Sequence, residues 1–150
     1  MSLFEIVSED IKKAMLAREK DKLDALRAVK SAFLLARTES GAGGELTPDT
    51  ELKIVQKLVK QRKESAEIYS QQHRQDLMDK ELLEASVIEQ YLPAQLSEAE
   101  LEDILKDVIE RAGATQPAHM GKVMGIAAKE LAGKADGRVI AEKVKQLLGA

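Results

Sequence analysis

Tyr91-Leu92-Pro93-Ala94-Gln95-Leu96-Ser97-Glu98-Ala99-Glu100 is the stretch at which one group of helices ends and another begins. A residue that precedes proline resists the α conformation, so the apolar run Met78, Leu82, Ala85 and Ile88 stops at Leu92. Five residues later, Ser97 and Glu100 have the spacing of a capping box, in which a serine and a glutamate satisfy each other's free amides. The helix it predicts carries Leu101, Ile104, Leu105 and Val108 and closes at Gly113, a natural left-handed C-cap. The chain therefore divides into residues 1–92 and residues 97–150.

Working back from Pro93, apolar residues recur at helical spacing in each segment. Phe4, Val7, Ile11, Ala14 and Met15 share a face of the first run, and Leu26, Val29, Phe33 and Ala36 share a face of the second. Gly41, Gly43 and Gly44 interrupt the pattern as a flexible connection. Thr47-Pro48 reads as N-cap and first helical residue, with Asp49 and Glu51 placed favourably for the helix dipole. That third helix runs from Pro48 to about Gln71, burying Val55, Val59, Ala66 and Tyr69, and His73-Arg74 separate it from the fourth. Forward from Gly113, one helix carries Met120, Val123, Met124, Ala127 and Leu131 and is closed by Gly133. Asp136 caps a last one with Ile140, Val144 and Leu147. No strand pattern appears. The expected fold is all-α: a four-helix N-terminal part, then a small three-helix C-terminal domain.

Composition supports this and excludes several functions. Of 150 residues, 44% are hydrophobic but only 3% aromatic, so the core has to be aliphatic. Leu, Lys, Glu and Ala, all good helix formers, dominate. Cysteine is absent, which removes disulfides, thiolate ligands and a cysteine nucleophile together and suits a reducing compartment. No basic leader followed by an apolar run opens the chain, and no apolar stretch approaches the roughly 18 residues that would span a bilayer. A soluble protein is expected, with no membrane role and with the cytoplasm as its compartment. The net charge of −3 provides no global attraction to nucleic acid. Its distribution is uneven, however. Residues 97–112 hold two basic and six acidic side chains, net −4, whereas residues 113–150 hold six basic and three acidic, net +3.

Tests for chemistry return little. His73 and His119 are far apart with no partners at metal-ligand spacing, and read as surface residues. The carboxylates fall on polar helix faces with nothing to raise their pKa. Gly121-Lys122 lacks the Walker pattern, since Gln116 stands where a glycine is required and Val123 where Ser or Thr is required. No catalytic residue, metal site or cofactor is predicted. Two cationic features remain. Lys53, Lys57 and Lys60 share one face of the third helix, as expected of the solvent side of an amphipathic helix, with a phosphate-tracking stripe as the alternative. In the tail, Lys122 and Lys129 are seven apart on one helix face, and Lys134 and Arg138 flank the amino end of the last helix, whose free N–H groups favour an anion. Gly121, Gly125, Gly133 and Gly137 are interleaved with them. Gly125 inside a helix costs roughly 1 kcal/mol against alanine, which suggests close packing of a backbone or ligand there.

The tail residues His119-Met120-Gly121-Lys122-Val123-Met124-Gly125 and Gly133-Lys134-Ala135-Asp136-Gly137 closely resemble the C-terminal signature of the YqeY-like proteins of bacteria. Leu26-Arg27, Lys60-Gln61-Arg62-Lys63 and Tyr91-Leu92-Pro93-Ala94-Gln95-Leu96-Ser97 are similar to that family too, so the resemblance covers essentially the whole chain. The C-terminal part of that family is similar to the tail of GatB, the tRNA-binding subunit of the glutamine-dependent aspartyl/glutamyl-tRNA amidotransferase. The resemblance implies a four-helix part followed by a three-helix part, and tail helices that hold tRNA. It imports no catalysis, because the amidotransferase chemistry belongs to other parts of that complex. A label of carbon–nitrogen ligase with glutamine as amido-N-donor would attach by association alone. Glu130, beside Lys129, makes the tail face less basic than in some relatives. The expected function is a non-catalytic tRNA-binding accessory protein using Lys122, Lys129, Lys134 and Arg138. The alternative is a protein-docking module on a tRNA-modifying or aminoacylating complex.

Overall fold

Serine, threonine and aspartate set the starts of four of the seven α-helices, and each is a local effect. In the computed structural model, which describes residues 1–39 and 44–149, these are α1 (Leu3–Ala17), α2 (Lys20–Glu39), α3 (Pro48–Gln71), α4 (Gln75–Glu89), α5 (Glu98–Ala112), α6 (Met120–Glu130) and α7 (Gly137–Leu147). Among the described residues there is no strand, and a single 3-10 turn, Pro117–His119, precedes α6. Thr47 Oγ1 accepts from Thr50 N at 3.2 Å ahead of Pro48. Ser97 Oγ accepts from Glu100 N at 3.2 Å. The full reciprocal capping box is found at the start of α1, where Ser2 Oγ accepts from Glu5 N and Glu5 Oε2 accepts from Ser2 N at 2.9 Å. Gly113 closes α5 at φ 65°. Of the interrupting glycines, Gly41 and Gly43 lie outside the described residues.

The chain forms two compact units, Met1–Leu92 and Pro93–Ala150. The first holds α1–α4: α3 packs along α4, α1 against α2, and α2 against α4. Val7, Leu26, Val29, Phe33, Val55 and Ile88 are fully buried between them. Two residues expected in this core are instead exposed, Met15 at 53% and Leu82 at 43%. Met15 lies one residue position, about 100°, beyond Ala14, and Leu82 lies about 60° from Ala85 and about 120° from Ile88, so both sit off the centre of the stripe that does bury.

The second unit holds α5–α7 around Leu101, Leu105, Val108, Val123, Ala127, Leu131, Ile140 and Val144. The Pro93–Leu96 segment belongs to it. Gln95 Nε2 donates to Gly133 O at 2.7 Å, and Leu96 N donates to Lys134 O at 3.1 Å, fixing the entry to α5 against the turn between α6 and α7.

Candidate nucleic-acid interface

Core and solvent are cleanly divided on α6. Val123 and Ala127 are buried, whereas Gly121, Lys122, Gly125, Ala128 and Lys129 are all exposed. At 3.6 residues per turn, those five positions share roughly one third of the helix circumference, with Lys122 and Lys129 roughly 10 Å apart along the axis. This corrects the expectation that the glycines serve close packing. A Cβ built on Gly121, Gly125 or Gly137 would meet no atom within 4 Å, because these positions face away from the core of α5, α6 and α7. Gly133 is different: it is buried with φ 75°, a left-handed conformation that favours glycine, and it turns the chain toward α7.

Glu130 does not neutralise Lys129. Its carboxylate is held by Arg111, whose Nη1 and Nη2 donate to Glu130 Oε1 and Oε2 at 2.7 Å each, while Arg111 Nε donates to Asp107 at 2.8 Å. The hydrogen bonds from Arg111 keep the Glu130 carboxyl below the usual glutamate range, and those from Glu130 and Asp107 raise the guanidinium. Elsewhere in this unit Lys106 pairs with Glu102 and Lys143 with Glu98. Lys122, Lys129, Lys134, Arg138 and Lys145 have no ion pair among the described residues.

The structure places Lys122 and Lys129 on one face of α6, Lys134 in the turn after it, and Arg138 in the first turn of α7. The anion-ready amino end expected of α7 is already occupied: Asp136 Oδ1 accepts from Arg138 N at 2.8 Å, so a carboxylate sits where an anion would dock. Lys145 was missed. It lies seven residues beyond Arg138 on the exposed side of α7, repeating the Lys122–Lys129 spacing, and that repeat was readable in the sequence. Glu142 is exposed between them and reduces the positive charge of that face.

On α3, Lys53, Lys57 and Lys60 are exposed, but Glu64 and Glu67 continue the same outward side, and Lys60 is engaged within the chain. They form the mixed solvent face of an amphipathic helix.

The carboxylates of the first unit depart from the sequence reading. Glu51 is 3% exposed, and its Oε2 accepts from Phe4 N at 3.0 Å, so a side chain of α3 caps the first turn of α1. Glu84 faces Arg62 at 3.8 Å, with both side chains largely covered (13% and 16% exposed), and burial pushes its carboxyl up despite the guanidinium. Tyr91 donates its hydroxyl to Asp10 at 2.6 Å; burial and that bond raise the phenol. Arg37 lies 3.9 Å from the Phe4 ring centroid. His119 Nδ1 accepts from Thr115 N at 3.0 Å and closes the turn before α6. Among the described residues, no three His, Cys, Asp or Glu side chains are grouped to hold a metal, and no helix is long and apolar enough to cross a membrane.

An all-helical chain of two units, with exposed cations on α6, on α7 and in the turn between them, is the class these features define. Residues 4–148 match the model of the family described as Yqey-like protein, and the chain belongs to that family. Two curated relatives carry the name "Altered inheritance of mitochondria protein 41, mitochondrial". One, from Pyrenophora tritici-repentis (strain Pt-1C-BFP), is 27% identical over 94% of this chain and 78% of its own length. The other, from Clavispora lusitaniae (strain ATCC 42720), is 32% identical over 61% of this chain and 52% of its own length.

Proposed function

We propose that this chain is a non-catalytic accessory protein that holds tRNA through its second unit, in the manner that the resemblance to the GatB tail implies. The observation that carries the reading is the state of the cations. Arg111, Lys106 and Lys143 are bound to carboxylates, whereas Lys122, Lys129, Lys134 and Arg138 are left to solvent, two of them beside bare glycine backbone on α6. Lysines at helical spacing track phosphates and position a nucleic acid without reading its sequence. The proposed place of work is the cytoplasm, and a tRNA-dependent enzyme complex is the natural recipient of the held tRNA.

Four phosphate contacts give a salt slope of roughly −3 to −4, so binding is weak at physiological salt. The test is a fluorescence titration with bulk tRNA at several salt concentrations. Lys122→Ala, Lys134→Ala and Arg138→Ala should each flatten the slope by about one unit, whereas Lys12→Ala, Lys13→Ala and Lys20→Ala in the first unit should not. If tail and control variants behave alike, or the unaltered protein shows no salt-sensitive binding, the tRNA reading fails. Docking onto a tRNA-modifying or aminoacylating complex then takes its place, supported by the exposed Leu34, Leu35, Leu82 and Leu83 of the first unit. The same preparation should release no ammonia from glutamine.

A further inference from the structure

The RNA partner can be narrowed by what the second unit has to offer it. The chain's four Phe and Tyr residues, Phe4, Phe33, Tyr69 and Tyr91, all precede Pro93, so the one aromatic ring in residues 93–150 is His119, whose Nδ1 accepts from Thr115 N at 3.0 Å and whose Nε2 lies 3.3 Å from Gln116 Nε2. Proteins that bind unpaired nucleotides do so largely by stacking bases on aromatic rings or on arginine planes, worth about 1–3 kcal/mol per base. Of the two arginines in the second unit, Arg111 has its guanidinium held by Glu130 and Asp107, which leaves Arg138 alone. What the unit does present is point charge and bare backbone: Lys122 and Lys129 on α6, Arg138 and Lys145 at the same seven-residue spacing on α7, and Lys134 in the turn that joins these helices.

Resting on the tRNA reading above, we propose that these five cations form one surface and that it takes the sugar–phosphate backbone of double-helical RNA, a stem rather than a loop or single-stranded end. The reason is electrostatic. A duplex has the higher phosphate density and releases more counterions per contact, and a single strand offsets that deficit only through stacking. Five contacts release roughly one more counterion from a duplex than from a single strand, worth about tenfold in affinity near 0.1 M salt. Gly121 and Gly125 add to this, since their open face admits the wide, shallow minor groove of an A-form helix, where 2′-hydroxyls and phosphates are presented.

The test is competition against labelled bulk tRNA bound to the full chain near 0.1 M salt. One competitor is an RNA hairpin with a perfect stem; the other is an unstructured RNA strand with the same number of phosphates. The hairpin should displace tRNA at about tenfold lower concentration, and Lys145→Ala should weaken hairpin binding as much as Lys129→Ala. If the single strand competes equally or better, or Lys145→Ala leaves hairpin binding unchanged, the stem assignment is overturned while tRNA binding itself stands. If labelled tRNA shows no salt-sensitive binding to begin with, the tRNA reading and this inference fall together.

Discussion

Arg62 and Glu84 lie between packed helices in the first unit, and Glu51 is buried at the start of α1. In the second unit, none of the described charged residues is buried. The first unit also encloses its aromatic side chains: Phe33 is fully buried, Phe4 lies beneath Arg37, and Tyr91 is tied to Asp10. The second closes on aliphatic residues alone, and each of its interhelical ion pairs, Arg111–Glu130 and Lys143–Glu98, keeps at least one partner in solvent, Glu98 being 83% exposed beside a largely covered Lys143. The contrast separates two uses of charge. In the four-helix unit, covered polar contacts tie α3 to α1 through Glu51 and to α4 through Arg62 and Glu84. Where three short helices share a small aliphatic core, the charges stay outside and those without partners are available to a ligand.

Four experiments test the contrast between the units. The largest effect should come from Leu105→Ala, at a fully buried position of the second unit. Its cost of about 2–5 kcal/mol is a large part of what so small a core can supply. Native-state hydrogen exchange should show faster exchange in α5–α7 with α1–α4 unchanged; equal loss in both units would mean that they fold as one. Glu51→Ala should follow, at about 1–3 kcal/mol, because it leaves the Phe4 amide without its acceptor. Glu51→Gln keeps an acceptor oxygen and should recover most of the urea midpoint.

Asp136→Ala should give two readouts of opposite sign. Loss of the N-cap should cost about 1 kcal/mol in thermal unfolding. Removing the carboxylate beside Arg138 should at the same time raise tRNA affinity at low salt. A variant that is destabilised but binds no better would remove the amino end of α7 from the interface.

The smallest effects concern pH, and their signs differ between the units. The folded-state pKa of Glu84 is raised by burial, so its contribution to stability is full below the ordinary glutamate range and is lost as pH rises through the raised value. On acidification from pH 7 to about pH 4, the unaltered protein should therefore gain stability relative to Glu84→Gln. Glu130, lowered by Arg111, behaves oppositely. Its contribution is present above the ordinary range and is lost as pH falls, so over the same interval the unaltered protein should lose stability relative to Glu130→Gln. Paired urea titrations at the two pH values measure both.

Helix starts and stops at Thr47-Pro48, Ser97, Gly113 and Asp136 were legible in the sequence, because a cap is decided by a few consecutive residues and the amides or carbonyls they reach. The aliphatic stripes were legible for the same reason, and so were the tail cations. What the sequence left open all involves residues distant along the chain. Whether Met15 and Leu82 are covered depends on which helix lies opposite. The burial of Glu51 depends on Phe4, 47 positions away, and the raised Glu84 carboxyl on the packing of α3 along α4. In the tail, the sequence showed Glu130 beside Lys129, but only the packing of α6 against α5 commits that glutamate to Arg111 and leaves Lys129 unpaired. Nor could glycine spacing tell a packed face from an open one. Composition and periodicity determine which helices form, whereas the pairing of charges and the openness of the α6 glycine face depend on distances that exist only once the helices have packed.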